Sequence, residues 1–270
     1  MTNQILKPLS SDVRIDSLLT KPFSVVIPAY NEEKRIGPVL EELSHFIYSN
    51  SLPWEVIVAV DGNDGTADMV RTMSTVYPFL SLKTGEGRNG KGGAIKRGLS
   101  AAQGDFVIFM DADGSIKFSD ILAHIQDTEK YDAIVFDRYS FAKNSIPFLR
   151  RFASRGFNVL VKALLGIRLN DTQCGYKILG AEYARKAFQK ISVTNTFFDV
   201  ALIFHLKKLG AKIMEIPVDY NHNGDSRFNV VAEVLGQGTS LLAFRIRNSR
   251  FYKYVPKWLI ELYYRKFRWI

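Results

Sequence analysis

Cysteine is nearly absent from these 270 residues: Cys174 is the single one. An internal disulfide and a thiolate-rich metal site are thereby excluded, which fits a reducing compartment. The thiol itself reads as a small buried hydrophobe rather than a nucleophile, since no histidine stands near it in a recognisable motif. Histidine is scarce too, and His45, His124, His205 and His222 lack metal-ligand spacing, so they read as structural. Long apolar runs are missing. No stretch reaches the roughly 18 uninterrupted apolar residues that a spanning helix needs. Residues 1–22 are too polar for a secretory signal. The expectation is a protein neither secreted by a standard signal nor integral to a membrane. Internal repeats and low-complexity tracts are also absent. Acidic residues number 27 against 36 basic ones, and the formal charge of +9 points to an anionic partner. Nucleic acid, a membrane surface and phosphorylated substrates all qualify.

With 47% hydrophobic content, the chain can bury one large core. Its organising stretch is Phe106-Val-Ile-Phe-Met-Asp-Ala-Asp-Gly-Ser115, an apolar run ending in Asp111 and Asp113. This reads as a buried parallel strand that delivers two acids to a sheet edge, where open α/β sheets bind ligands. Two such carboxylates can share one hard cation, Mg2+ or Mn2+, and leave positions for substrate phosphate. The alternative is that they close a turn and cap the next helix.

Apolar strands are expected over Phe23–Pro28, broken by the proline, over Glu55–Val60 and near Leu80–Lys83, and helices from about Pro38 to Tyr48 and up to about Ala102. Between them lie polar loops: Ala29-Tyr-Asn-Glu-Glu33, Asp61-Gly-Asn-Asp-Gly-Thr66 and Gly85-Glu-Gly-Arg-Asn-Gly-Lys-Gly-Gly93. Strand–helix alternation with short connections predicts a doubly wound, mostly parallel sheet with these loops gathered at one edge. In the glycine-rich loop, Gly85, Gly90 and Lys91 match the spacing of a nucleotide-triphosphatase phosphate loop, but Gly92 stands where Ser or Thr would bind magnesium. That weakens a kinase or ATPase reading. Arg88 and Lys91 among glycines still suit a diphosphate; a flexible helix-entry loop is the alternative.

The segments Val25-Val-Ile-Pro-Ala-Tyr-Asn-Glu-Glu33, Asn89-Gly-Lys-Gly-Gly-Ala94, Asp111-Ala-Asp-Gly114, Asp171-Thr-Gln-Cys-Gly-Tyr-Lys177, Phe198-Asp-Val200 and Glu215-Ile-Pro-Val218 occur in this order. Together, over roughly residues 23 to 247, they resemble the inverting family-two glycosyltransferases of GT-A type, and among them the branch that glycosylates dolichyl and polyprenyl phosphates. The resemblance implies a GT-A, Rossmann-like fold with helices flanking its central sheet. It implies transfer of a sugar, glucose favoured, from a nucleoside diphosphate sugar, UDP-glucose favoured, to a polyprenyl or dolichyl phosphate, with Mg2+ or Mn2+ as cofactor. By position, Pro28, Ala29, Tyr30, Glu32 and Asp61 would hold base and ribose, with Arg88, Lys91 and Asp111 nearby. Asp113 would be the principal metal ligand beside Asp111, and Arg138 and Arg227 would face the acceptor phosphate. A hydroxyl acceptor would need a base, for which Asp171 and Asp199 are the candidates. The sequence departs from the pattern in its shorter Asp61 loop and in Ser115, where some relatives carry a longer metal-binding side chain.

The chain then divides into an N-terminal extension over 1–22, a catalytic domain over 23–240 and a basic, aromatic segment over 241–270. Beyond Pro256, Trp258, Leu259, Leu262 and Tyr263 recur at helical spacing among Lys and Arg, as in an amphipathic helix lying on a membrane surface. The alternative is a terminal helix packed on the catalytic domain or on a second copy in a homo-oligomer. No recognition motif supports nucleic acid. A second apolar face is expected within 152–167, built from Phe157, Leu160, Val161 and Leu164. The expected location is the cytoplasmic face of a membrane, peripherally bound. Two other function classes stay open: a sugar-1-phosphate nucleotidyltransferase, which would release pyrophosphate, and a noncatalytic sugar-nucleotide binding protein at a membrane.

Overall fold

A computed structural model describes residues 19–85, 87, 89–141, 148–221, 230–250, 252–254 and 256. Strands β1 (Phe23–Tyr30), β2 (Glu55–Asp61), β3 (Leu80–Thr84) and β4 (Phe106–Phe109) alternate with helices α1 (Ile36–Ser49), α2 (Thr66–Ser74) and α3 (Gly90–Ala101). Helix α4 (Phe118–Leu122) follows, then β5 (Ala133–Asp137), α5 (Phe148–Leu165), β6 (Lys177–Gly180), α6 (Ala181–Phe188), α7 (Phe198–Lys208), β7 (Ile213–Pro217) and α8 (Val230–Arg247). The strands form one seven-stranded sheet in the order β3-β2-β1-β4-β6-β5-β7. All pairings are parallel except the two made by β6.

Apolar residues fill both sheet faces because a strand's side chains alternate in direction. Val25, Ile27, Val56, Val58 and Ile108 face a core shared with Ile36, Leu40, Leu43 and Ile47 of α1. Val26, Ile57, Val107 and Phe109 face the other, with Ile95 and Leu99 of α3, Ala184 and Ala187 of α6 and Val200 and Ile203 of α7. The doubly wound, mostly parallel architecture is the expected one.

Three details differ from what the sequence predicts. Pro28 does not break β1, which runs on to Tyr30. Pairing with β4 has ended at Val26, so Pro28 pairs only with β2 and its missing N–H interrupts nothing on the other side. On α5, Phe157 and Val161 turn inward, whereas Leu160 is 51% exposed, so the expected four-residue face is split between core and surface. The division expected at residue 240 falls inside α8, and Leu241 and Phe244 of that helix belong to the second core. Near the N-terminus, the carbonyl of Leu19 accepts the Trp54 indole N–H at 2.9 Å, and Pro22 accepts the Asp105 amide at 2.9 Å. The stretch 257–270, with its expected interfacial helix, lies outside the described residues. Among the described residues no helix is long and apolar enough to cross a membrane.

Candidate active site

Parallel strands β1, β2 and β4 all end at one edge of the sheet, and the loops after them are stitched together. Asn31 adopts φ 56°, and its side-chain oxygen accepts the Asn63 amide at 3.1 Å. Gly62, at φ 106°, makes this approach possible: a Cβ there would lie 2.2 Å from that same oxygen. Glu32 N–H donates to the Thr66 hydroxyl at 2.8 Å, Glu33 N–H to Asp64 at 3.1 Å, and Gly65 N–H to the Glu33 carboxylate at 2.6 Å. The edge therefore offers a preformed floor at which Tyr30 is 45% exposed and Ala29 is buried. Pro28 sits one residue deeper on the same strand, and Glu32, ion-paired to Arg35, stands above. Burial pushes the Glu32 carboxyl up, and the neighbouring Asp113 and Asp111 add to that.

Asp61 is deeper than its expected contact with a nucleotide suggests. It is 4% exposed; one oxygen accepts Arg97 Nη2 at 2.5 Å and the other the Asn89 amide at 3.0 Å. It ties the end of β2 to the start of α3. Arg97, its partner, belongs to no motif that would mark it in the sequence.

Asp111 follows β4 and forms an ion pair with Lys91 at 2.8 Å, both side chains partly exposed. Burial by itself pushes the Asp111 carboxyl up, but the Lys91 ammonium, with Arg138 and Lys177 adding to it, outweighs burial and holds the carboxyl below the usual carboxylate range. The same pairing, with Asp199 adding to it, raises Lys91 against the opposing effect of burial, so the amine stays charged. Gly175 closes over Asp111: a Cβ there would stand 2.0 Å from the carboxylate. Asp113 accepts the Ser115 amide at 3.0 Å across a turn made by Gly114 at φ 64°. Thus Asp113 does close a turn, while its neighbour faces a lysine. Among the described residues no group of three or more His, Cys, Asp or Glu side chains is arranged around one ion. Two carboxylates with hard oxygens still suit Mg2+ or Mn2+, the remaining positions falling to substrate phosphate and water. The Ser115 hydroxyl is buried without a hydrogen-bond partner beside them.

The glycine loop is explained by its far side. Gly92 N–H donates to the Thr194 carbonyl at 3.0 Å, and a Cβ on Gly92 would lie 2.8 Å from that of Phe198. The position that in a phosphate loop carries Ser or Thr is here a packing contact between α3 and α7. Arg88 and Arg227 lie outside the described residues.

Antiparallel β6 brings the second group of residues. Because Lys177 pairs with Phe109 at the end of β4, the preceding 171–176 loop arrives at the same edge. Asp171 is fully buried and holds Arg138 through Nε at 2.7 Å and Nη2 at 3.0 Å, while the Arg138 and Gln173 amides donate to it at 3.2 and 3.0 Å. Burial pushes its carboxyl up, but Arg138 and these amides outweigh burial and hold it low. With four donors on two oxygens, Asp171 is built to orient Arg138 and poorly suited to take a proton. Glu215 of β7 fixes the loop from below by accepting the Asn170 and Asp171 amides at 2.7 and 2.9 Å. Asn158 of α5 fixes it from the side, donating to the Asn170 carbonyl at 2.7 Å and accepting the Thr172 hydroxyl at 2.7 Å. Cys174 is buried and its thiol is pushed up to about 12 by burial, in keeping with an inert role. Asp199, in the first turn of α7, is 3% exposed and bonds to Lys177, a residue that sequence reasoning assigns no role.

Comparison with known proteins agrees with this architecture. The profile described as Glycosyl transferase family 2 matches residues 24–188. A dolichyl-phosphate beta-glucosyltransferase of Trichomonas vaginalis is 30% identical over 83% of this chain and 72% of its own length. The protein of that name from Mus musculus is 31% identical, over 84% and 76% respectively. Among solved structures, the glucosyl-3-phosphoglycerate synthase of Mycobacterium tuberculosis in complex with Mn2+, UDP and phosphoglyceric acid superposes with a TM-score of 0.65 at 18% identity, covering 86% of this chain and 82% of that one, a likeness of fold. With the family profile spanning more than half of its length and relatives at this identity across most of it, the chain belongs to glycosyl transferase family 2.

Proposed function

We propose that the protein transfers glucose, with inversion, from UDP-glucose to a polyprenyl phosphate of the dolichyl type. The observation that carries this reading is the pairing of Lys91–Asp111 and Arg138–Asp171 at one sheet edge, in a chain whose relatives are named dolichyl-phosphate beta-glucosyltransferases. Transfer joins a phosphate oxygen of the acceptor to the anomeric carbon and breaks the bond from that carbon to the donor diphosphate. Charge concentrates on the departing UDP as the bond lengthens. Lys91 meets that charge as a fixed ammonium, and such preorganised donors are worth several kcal/mol in the transition state. Asp111 and Asp113 would hold a divalent cation, Mg2+ or Mn2+, which neutralises further diphosphate charge when bound.

The acceptor needs orientation rather than a base, because a phosphate monoester has a second pKa of about 6 and is mostly dianionic at neutral pH. This agrees with the state of both candidate bases, since Asp171 is clamped on Arg138 and Asp199 on Lys177. Arg138, fixed in place by Asp171, would orient the acceptor phosphate, and Arg227 is a second candidate for that task. The floor made by Pro28, Ala29, Tyr30 and Glu32 would receive base and ribose, with Asp61 setting its geometry and Arg88 near the diphosphate.

Among the described residues no helix is long and apolar enough to cross a membrane, and peripheral binding is our reading of how the site reaches a lipid acceptor. Phe152, Val159 and Leu160 of α5 are 69%, 65% and 51% exposed, beside the exposed Arg155 and Lys162. Apolar and basic side chains together suit the anionic cytoplasmic leaflet, with the basic segment over 241–270 adding to them.

The decisive assay supplies radiolabelled sugar nucleotides in turn with polyprenyl phosphate and Mn2+ or Mg2+. Label from UDP-glucose should enter a lipid product with release of UDP. Pyrophosphate release would favour a nucleotidyltransferase instead, and binding without turnover a noncatalytic protein. Asp113→Ala should keep the fold by circular dichroism yet lose at least about 100-fold in metal-dependent turnover. Ordinary turnover at limiting metal would sink the metal assignment.

A further inference from the structure

Four charged side chains alternate in sign on a path from the core to the site mouth. Lys177 is completely buried, the Asp199 side chain is 4% exposed, Lys91 24% and Asp111 31%. Lys177 donates to the Asp199 carboxylate at 2.5 Å and also to the Cys174 carbonyl. The other Asp199 oxygen faces Lys91 at 3.9 Å, against 2.8 Å from Lys91 to Asp111. A buried ion pair is a poor choice for stability alone, because apolar residues of similar volume often serve as well or better. The pair is also joined to Lys91 by the backbone. Gly90 and Gly92 let the start of α3 close on residues 194–198, where a Cβ on Gly90 would lie 2.5 Å from the Thr194 carbonyl oxygen. The segment that bears Asp199 thus also fixes where Lys91 begins.

We propose that Lys177 and Asp199 are positioning residues that hold the Lys91 ammonium between Asp199 and Asp111, ready for the donor diphosphate; this rests on the functional reading above. Each charge has a separate task. Asp199, at 3.9 Å, shares the ammonium with Asp111, at 2.8 Å, a carboxylate that the proposed reaction also needs for its cation. Lys177 compensates Asp199, so that Lys91 stands off at 3.9 Å instead of closing into a contact pair deep in the site. Removing Lys177 alone would let Lys91 collapse inward, and removing Asp199 alone would leave a buried ammonium without its counter-charge.

The test is the neutral double variant Lys177→Met/Asp199→Leu, which discards the pair without leaving a lone buried charge. Its Tm should stay within about 3 °C of wild type. Its kcat for UDP-glucose should fall at least about 30-fold while the donor KM changes less than about threefold, because Lys91 acts on charge that develops in the transition state. UDP, whose terminal phosphate carries that charge outright, should bind about tenfold more weakly in Mn2+. Adding Lys91→Met to the double should cost less than about threefold more, since both changes act through one ammonium. A merely structural pair would return stability and turnover together. Wild-type kcat and UDP affinity in the neutral double, or losses that multiply in the triple variant, would overturn the proposal. A wild type that binds UDP but glycosylates no lipid phosphate would defeat the acceptor reading, and UDP affinity in the variants would then decide for or against this network. A wild type that does not bind UDP would defeat both.

Discussion

Glycines at two positions decide what the charged residues beside them can do. Gly175 leaves room for the Asp111 carboxylate, and Gly175→Ala would set a methyl 2.0 Å from it. Relief requires Asp111 to swing out or the 171–176 loop to move, at about 1–3 kcal/mol. Urea titration should register that loss, and turnover should fall at least about tenfold, because displacements of this size disturb reacting geometry. Gly92→Ser tests the phosphate-loop resemblance from the opposite side. It would complete that motif, yet it should destabilise the protein and confer no ATP hydrolysis, since the new Cβ meets Phe198. Neither contact is visible in sequence, where both glycines look like loop residues. His205 is structural, as its sequence context suggests: burial against Phe204 and Phe244 lowers its pKa to about 4, with Nδ1 unpartnered. The unfolded chain takes up a proton near pH 6.5, whereas the folded chain resists until about pH 4. Stability from the neutral ring is therefore present above pH 6.5 and is lost as pH falls toward 4. At most about 3 kcal/mol is at stake. His205→Leu should flatten the fall in Tm between these limits; an unchanged slope would assign acid sensitivity to other groups.

Helix α5 is the element for which sequence and structure differ most. Helical spacing of Phe157, Leu160, Val161 and Leu164 identifies an apolar helix, but spacing alone does not say which side meets a core. Packing sends Phe157, Val161 and Asn158 inward, whereas Phe152, Val159 and Leu160 are more than half exposed. The helix consequently touches the loop at Asn170 and Thr172 on one side and, on the proposed peripheral reading, would face a bilayer on the other. Changing Val159 and Leu160 together to Glu should weaken flotation with anionic vesicles several-fold while keeping Tm, because both side chains are exposed. Activity on a short, soluble phosphate analogue should survive. Equal loss on soluble and long-chain acceptors would instead make this face part of the catalytic fold.

At the scale of the whole molecule, the excess of basic residues would add a long-range attraction to anionic lipid on the proposed peripheral reading. Vesicle binding should rise with anionic lipid and fall with salt, since exposed charges are screened over about 8 Å at physiological ionic strength. Truncation before Arg250 leaves α8 and the buried Phe244 in place. It should therefore reduce flotation and long-chain activity more than activity on the short analogue. Loss of the folded transition after truncation would identify the C-terminal stretch as a packing element.

The sequence by itself determined the parallel half of the sheet, the edge at which its loops gather, and the acids, lysine and arginine found there. Strand periodicity and turn chemistry are local, and short apolar runs ending in Asp, Asn or Gly leave few alternatives. The same local signals mark Asp111 and Lys91 through their motifs. Only the tertiary structure decided the partners. That Asp171 clamps Arg138, that Asp61 is consumed by Arg97, and that a wholly buried Lys177 holds Asp199 all depend on contacts between residues 22 to 36 positions apart. The insertion of antiparallel β6 between β4 and β5 creates two of those contacts, Asp171 with Arg138 and Lys177 with Asp199. Long-range pairing of charges follows from which elements the sheet brings side by side, and no local pattern encodes that order.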